Sequence, residues 1–446
     1  MAHVAGRAPR LRTTVAAHPV LSAGAFCLAL AAISLALPWT PSYDPWAWIV
    51  FGREIVDPNL QFSTLAHTGW KPLPVLFTTP FGLFGAAAPS LWLLVPRAAG
   101  LAALGLAVRL GARAGGIAAG LIGALALLLG AVELHLSGRR GWAFALGALT
   151  GLARPEIWPL LGVYALYLWV FERRRWPLLL GLPTIVALWV LPDWAGSGEL
   201  FHTFHSATIS GEPTEILHTS FPAATLSGRA LGILVAPVWI AALIAAVQGW
   251  RERERVTLTL TVVALSWLVV TIGGEAVGYP AVPRYLVEPA AVCCVLAGIG
   301  FAALPRLAPE RARVALIVLL VVASLPFAVA RSIGLGHQVG AATGRAHDLT
   351  QLWRTVDRAR AQVPVARLHP LIAPNDNATA LAWKLHVKIY GVAQNPSRKV
   401  GIAFVKGNPP ELTALRRMGA GVAPLASDGR WSALSVRWDG TRQFAG

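Results

Sequence analysis

Charge is what this sequence has least of. Only 13% of its 446 residues are Asp, Glu, Lys or Arg, where soluble domains carry roughly a quarter. An ordinary soluble globule is therefore excluded for most of the chain, and a mean hydropathy of +0.58 agrees. Acidic residues are scarcest, 21 against 38 basic ones, and Lys71 is the only lysine before Lys384. Cysteine is nearly absent too. Cys27, Cys293 and Cys294 all lie in apolar runs with no C-x-x-C spacing, which argues against a disulfide framework or a zinc ribbon. No internal repeat or low-complexity tract stands out. No basic stretch is interleaved with aromatics at base-stacking spacing, so the net charge of +17 is better explained without nucleic acid.

What the chain does have is long apolar runs punctuated by arginine. About 20 apolar residues cross the hydrocarbon core, and arginine clusters between spans mark cytoplasmic loops. This predicts a helical polytopic membrane protein with a cytoplasmic segment 1–18 and a multi-span region 19–333. The first span, 19–38, is too long for a cleaved signal peptide and is retained. Further spans are expected at 89–110, 176–192, 229–248, 256–273, 289–304 and 314–333. Residues 115–136 and 141–171 each lie between two basic clusters, so a turn-back is expected in each, the alternative at 115–136 being that the charge rule fails there. The second is expected to turn at GLARPE, because a proline is tolerated where a helix has to break.

From about 340 the composition becomes that of a soluble chain. AHDLTQLWRTVDRARAQV reads as an amphipathic helix, VGIAFV as a strand, and ELTALRRMG as a helix stopped by Gly419. A hairpin should turn on Asp428–Gly429. A small α/β domain at 340–446, outside the membrane, is the expectation.

Residues 39–77 carry the densest chemistry. Between two apolar runs they hold Asp44, Arg53, Glu54, Lys71 and four tryptophans. Asp44 before Pro45 is a routine way to cap a helix. The same carboxylate, fixed beside the membrane, is also suited to act as a general base. Trp46, Trp48 and Trp70 could stack on sugar rings or form an interfacial aromatic belt. His202, His205 and His218 lie with several carboxylates in the loop 193–228, but His-x-x-His lacks a second half, so no metal site is assigned.

The D-x8-R-E pattern from Asp44 to Arg53 and Glu54, followed by Lys71-Pro72-Leu73-Pro74, resembles the first outer loop of the C-fold (GT-C) membrane glycosyltransferases. Arg97, the GLARPE turn and Arg284-Tyr285 at the head of a late span extend the likeness. It is closest to the branch of protein mannosyltransferase-like and aminoarabinose transferase-like enzymes, and to actinobacterial members with DPWAW and WKPLPVLF. The resemblance implies a GT-C-like fold with an extracytoplasmic active face in the plasma membrane. It implies transfer of a pentose or hexose, such as arabinose or mannose, from a polyprenyl-phosphate donor, with inversion. The acceptor would be a cell-envelope glycan, lipid or protein.

On that likeness Asp44 is the catalytic residue. Arg53, Glu54, Trp70, Lys71, Arg154, Glu156, Arg284 and Tyr285 are substrate-binding candidates, with Lys71, Arg154 and Arg284 around the phosphate. For each cation the competing reading is a snorkelling or topology charge. No cofactor is required by the residues, although some members of the family use a divalent metal. One departure stands out: the family has two spans and an outer loop where this chain has only 115–136. A non-catalytic transporter or an assembly protein on the same scaffold is the alternative.

Overall fold

The computed structural model describes residues 19–65, 69–115, 126–203, 205, 222–274, 283–364, 371–393, 397, 400–407 and 410–438. The helices, in chain order, begin with α1 (Pro19–Ser34), α2 (Tyr43–Val56), α3 (Pro72–Gly82), α4 (Ala88–Gly115) and α5 (Ala126–Leu136). Next come α6 (Arg140–Ala153), α7 (Trp158–Glu172), α8 (Leu182–Ser197), α9 (Pro222–Ile233), α10 (Ala236–Glu252), α11 (Arg255–Gly274) and α12 (Val287–Leu307). The 51-residue α13 (Glu310–Arg360) leads into β1 (Leu371–Ile372), α14 (Asn375–Leu385), β2 (Val392–Ala393), β3 (Ile402–Lys406), α15 (Pro410–Arg417), β4 (Ala420–Asp428) and β5 (Trp431–Trp438).

Among the described residues, five helices are long and apolar enough to cross a membrane: Gly85–Arg109, Pro177–Ser197, Arg255–Gly274, Val287–Leu304 and Glu310–Arg360. The expected first span is a 16-residue helix, α1, shorter than a full crossing. The expected span 229–248 is not one helix. It breaks between α9 and α10 with a bend of 95°. Val235 is extended and Pro237 sits in the first turn of α10, where its missing N–H cannot continue the preceding helix. The expected turn-back within 115–136 falls largely on residues 116–125, which lie outside those described, as do residues 1–18.

The chain divides into two compact units. One comprises 1–36, 93–187 and 211–331; the other comprises 37–92, 188–210 and 332–446. The first outer loop thus belongs to the same folded body as the C-terminal residues, and the expected boundary near 340 falls inside α13. The composition changes there but the helix runs on, since glycines 334, 336, 340 and 344 each only weaken it, by roughly 0.5–1 kcal/mol.

In the first unit, α6 and α7 form the expected hairpin. The chain leaves helical geometry at Arg154 (φ −139°, ψ 102°), makes a 3-10 turn at Pro155–Ile157 and returns. The helices pack closely because Gly147 and Gly151 face Leu161. Elsewhere α10 presents buried Ala241, Ala242, Ala245 and Gly249. A Cβ at Gly300 of α12 would fall 1.9 Å from the Ala241 carbonyl oxygen. Such small-residue seams replace the hydrophobic effect as the means of helix association in lipid.

In the second unit, a five-stranded sheet has the order β2-β1-β3-β5-β4. Strand β1 is parallel to β2 and β3, and β5 is antiparallel to β3 and β4. Ile372, Ala403, Val405 and Val436 from the sheet pack with Leu412 and Leu415 of α15. The β4–β5 hairpin turns at Gly429 with φ 57°, a conformation that favours glycine.

Candidate active site

Helix α2 is not started by Asp44. Ser42 occupies the N-cap, with extended backbone, and its carbonyl accepts the first helical bond from Trp46. Asp44 is the second helical residue, half-buried, with its carboxylate in the first turn, where the helix dipole favours a negative charge. Trp48 lies four residues on, so the two side chains leave the helix on one face. The Lys71 ammonium sits 5.1 Å from the centre of the Trp48 ring. Lys71 is also the N-cap of α3, with Pro72 following at the first helical position. The two helices are locked together behind these side chains. The Thr78 hydroxyl donates to the Trp48 carbonyl at 2.6 Å. A Cβ on Gly52 would lie 2.4 Å from the Thr78 backbone, so only glycine permits this approach. Trp48 and Lys71 therefore form an aromatic–cation pair, and Asp44 lies one turn earlier on the same face of α2.

Arg53 and Glu54, expected to touch substrate, are engaged elsewhere. Both are buried, 4% and 2% exposed. The Arg53 guanidinium donates to the carbonyls of Trp383 (3.0 Å), Val387 (2.8 Å) and Ala382 (3.4 Å), and lies 4.8 Å from the centre of the Trp383 ring. It thereby adds a charged donor to the Ala382 and Trp383 carbonyls, which also accept the backbone N–H groups of Val387 and His386 at the C-terminus of α14, and reaches the Val387 carbonyl just beyond it. Glu54 accepts the backbone N–H of Ile389 at 2.8 Å. These contacts are a physical reason to correct the expectation of substrate binding. Two charges removed from water, with this many protein hydrogen bonds, hold α2 to the C-terminal residues.

Burial lowers the Arg53 pKa to about 10 and raises that of Glu54 to about 7. For Glu54 the backbone N–H groups of Ile389 and Ser63, and the Arg53 charge, oppose the rise. A carboxyl with a raised folded-state pKa binds its proton more tightly when folded. Its contribution to stability is therefore full below about pH 4.5 and is lost as the pH rises through about 7, by up to a few kcal/mol at ~1.4 kcal/mol per pH unit. Glu54→Gln keeps an acceptor for Ile389 and should remove that slope. Thermal unfolding of the full-length variant and the parent, run side by side from pH 5 to 8, measures it; parallel curves would refute the assignment.

Trp70 also requires correction. It is 4% exposed, with ring centres of Phe62 and Phe51 at 5.4 and 5.9 Å, and its indole N–H points to the Leu188 carbonyl at 3.4 Å. A ring enclosed in this way is core and offers no face to a sugar.

In the first unit the hairpin apex carries its own charged group. The Arg154 Nε lies 3.0 Å from a Glu288 carboxylate oxygen, and its guanidinium carbon lies 5.3 Å from the centre of the Tyr285 ring. Glu156 is near enough to act electrostatically on Glu288. Arg154, Glu156 and Tyr285 are thus brought together. Glu288 is the member the sequence reading missed. Its signal was present: a carboxylate one turn into an apolar span, three residues after Tyr285, is expensive unless paired. Arg284 lies in the 3-10 turn Pro283–Leu286, and its side chain is outside the described part of the structure. Arg97 donates to the Ser34 hydroxyl at 2.8 Å.

Among the described residues no three His, Cys, Asp or Glu side chains come together as a metal site. His202 contacts Glu199 at 3.4 Å, and His218 lies outside the described residues. Asp193, expected at the start of a loop, lies within α8. There it accepts the backbone N–H of Thr203 at 2.8 Å and its hydroxyl at 3.0 Å.

No protein-family model and no curated protein matches the chain. Solved structures do. ArnT from Cupriavidus metallidurans, crystallised with undecaprenyl phosphate, superposes with a TM-score of 0.50 at 16% identity, over 93% of this chain and 97% of ArnT. This chain has the ArnT fold. The same ArnT in its apo state gives a TM-score of 0.49 at 16% identity, over 94% and 98% of the two chains. The expected architecture is therefore observed: a helical ArnT-like C-fold with several membrane-length helices and a small C-terminal sheet. The ArnT likeness covers almost the whole of both chains, so the short 115–136 region does not reduce the resemblance to a fragment.

Proposed function

We propose that this protein is a membrane glycosyltransferase that moves a sugar from a polyprenyl-phosphate donor to an acceptor hydroxyl outside the cytoplasm, inverting the anomeric carbon. The observation that carries the reading is the ArnT fold, in a protein crystallised with undecaprenyl phosphate, extending over nearly the whole chain. The tryptophan–lysine pair on α2 and α3, with Asp44 one helical turn before the tryptophan, supports it.

In this reading Asp44 takes the proton of the acceptor hydroxyl as its oxygen attacks the anomeric carbon. The bond from that carbon to the phosphate oxygen breaks, and the electron pair leaves with the lipid phosphate. A single displacement needs one base, whereas retention would need two carboxyl groups about 5–5.5 Å apart. Lys71, in the same compact unit as Asp44, is the cation proposed to steady the departing phosphate. Trp48, supported by Lys71, is placed to stack on a sugar ring. The acceptor class proposed is a cell-envelope glycan, lipid or protein, the sugar a pentose or hexose such as arabinose or mannose, and the C-terminal sheet lies on the outer side. These steps use only the chain's own side chains.

The test is incubation of the purified full chain in bilayers with polyprenyl-phosphate arabinose or mannose, labelled in the sugar, and cell-envelope acceptor. Free polyprenyl phosphate should appear with label in the acceptor. Donor that binds but remains intact would instead identify a transporter or assembly protein on the same scaffold.

A further inference from the structure

The open end of the α6–α7 hairpin, distant in sequence from the apex, is built differently from the other basic turns. Five arginines, Arg139, Arg140, Arg173, Arg174 and Arg175, meet a single carboxylate, Glu172. Arg140 pairs with Glu172 and closes the hairpin. Two of the other four, Arg139 and Arg174, line a cavity of about 480 Å³ together with Gly141, Trp142, Ala145 and Trp176. Gly141 makes the space: a Cβ there would lie 2.9 Å from the Arg174 guanidinium. Trp176 is held edge-on against Phe144, ring centres 5.3 Å apart at 90°. Both lining tryptophans are open, Trp142 at 71% and Trp176 at 41% exposed.

Positive charge that only sets topology needs no cavity and no convergence. At the RERER turn, 251–255, Glu254 instead caps the next helix by accepting the N–H groups of Val256 and Thr257. At 139–176, two guanidinium forks face one hollow, flanked by tryptophans at the end of apolar helices, where such rings sit at the headgroup level. A phosphodiester carries the negative oxygens these forks pair with. Val170 and Phe171, the residues of α7 just before Glu172, are 60% and 73% exposed, apolar surface of the kind an acyl chain covers.

We infer that this cavity binds the headgroup of an anionic phospholipid, with Arg139 and Arg174 on its phosphate and Trp142 and Trp176 flanking the glycerol. Basic pockets between membrane helices are suited to such headgroups. The inference does not depend on the proposed sugar transfer.

The full chain, reconstituted in equal parts phosphatidylglycerol and phosphatidylcholine, would be released into native mass spectrometry and its retained lipid identified. Phosphatidylglycerol should be retained about tenfold over phosphatidylcholine. R139Q/R174Q should lose the preference, and R251Q/R253Q should keep it. Gly141→Leu should lose it as well, by filling the hollow with every charge intact, and this variant decides the matter should R139Q/R174Q fail to fold. Absence of preference in the parent overturns the site. So does an equal loss in R251Q/R253Q, a preference surviving Gly141→Leu, or displacement of the lipid by inorganic phosphate alone.

Discussion

Asp44→Asn is expected to abolish sugar transfer while leaving the protein folded. A positioned general base contributes about 10²–10⁴-fold, and asparagine keeps the shape of aspartate but cannot take a proton at neutral pH. The structure supplies the reason for expecting intact folding. Ser42, not Asp44, provides the helix N-cap, and α2 is fixed from behind by Thr78 and Gly52. The dipole share of losing the first-turn charge is ~0.3–1 kcal/mol. The measurement is a turnover assay with labelled donor beside thermal unfolding of the same preparation. Transfer at the parent rate by Asp44→Asn would remove the carboxylate from the mechanism. An unfolded variant would show instead that Asp44 holds the helix.

Arg53→Ala should be the most destabilising substitution on the same helix. It removes a buried charged donor to the Trp383, Ala382 and Val387 carbonyls and a cation over the Trp383 ring, and leaves the buried Glu54 without its neighbouring charge. Removing one member of a buried, hydrogen-bonded charge group costs about 3–5 kcal/mol. Arg53→Lys should recover only part of this, because one ammonium cannot reach the three carbonyls with a planar fork. Thermal or denaturant unfolding of the full chain reads both. An Arg53→Ala protein as stable as its parent would return this arginine to the list of substrate-binding candidates.

Some features were legible in the sequence because their causes are local. The hairpin apex at Arg154–Pro155 follows from thirty-odd apolar residues held between basic ends with a proline at the midpoint. The turn at Asp428–Gly429 follows from glycine at positive φ. Membrane-length helices follow from composition. Other features were hidden because their partners are remote. Nothing near Arg53 and Glu54 announces that Trp383 and Ile389 will cover them, and a charged pair at a helix end ordinarily faces water. Trp70 reads as an interfacial ring until Phe51 and Phe62 are seen on either side of it. The Glu288 carboxylate could have been noticed, since an acid so close to an apolar span needs a cation, and Arg154 supplies it.

The contact between Arg53 and Trp383 spans 330 positions of sequence. A ribosome adding roughly 5–20 residues per second therefore takes tens of seconds after completing α2 to deliver the carbonyls that will receive this guanidinium. Through that interval the helix bearing Asp44 waits with its charged pair hydrated and its tryptophans uncovered. The loop bearing Asp44 should thus be among the last parts of the molecule to become protease-resistant during biosynthesis, although it is among the first to be made.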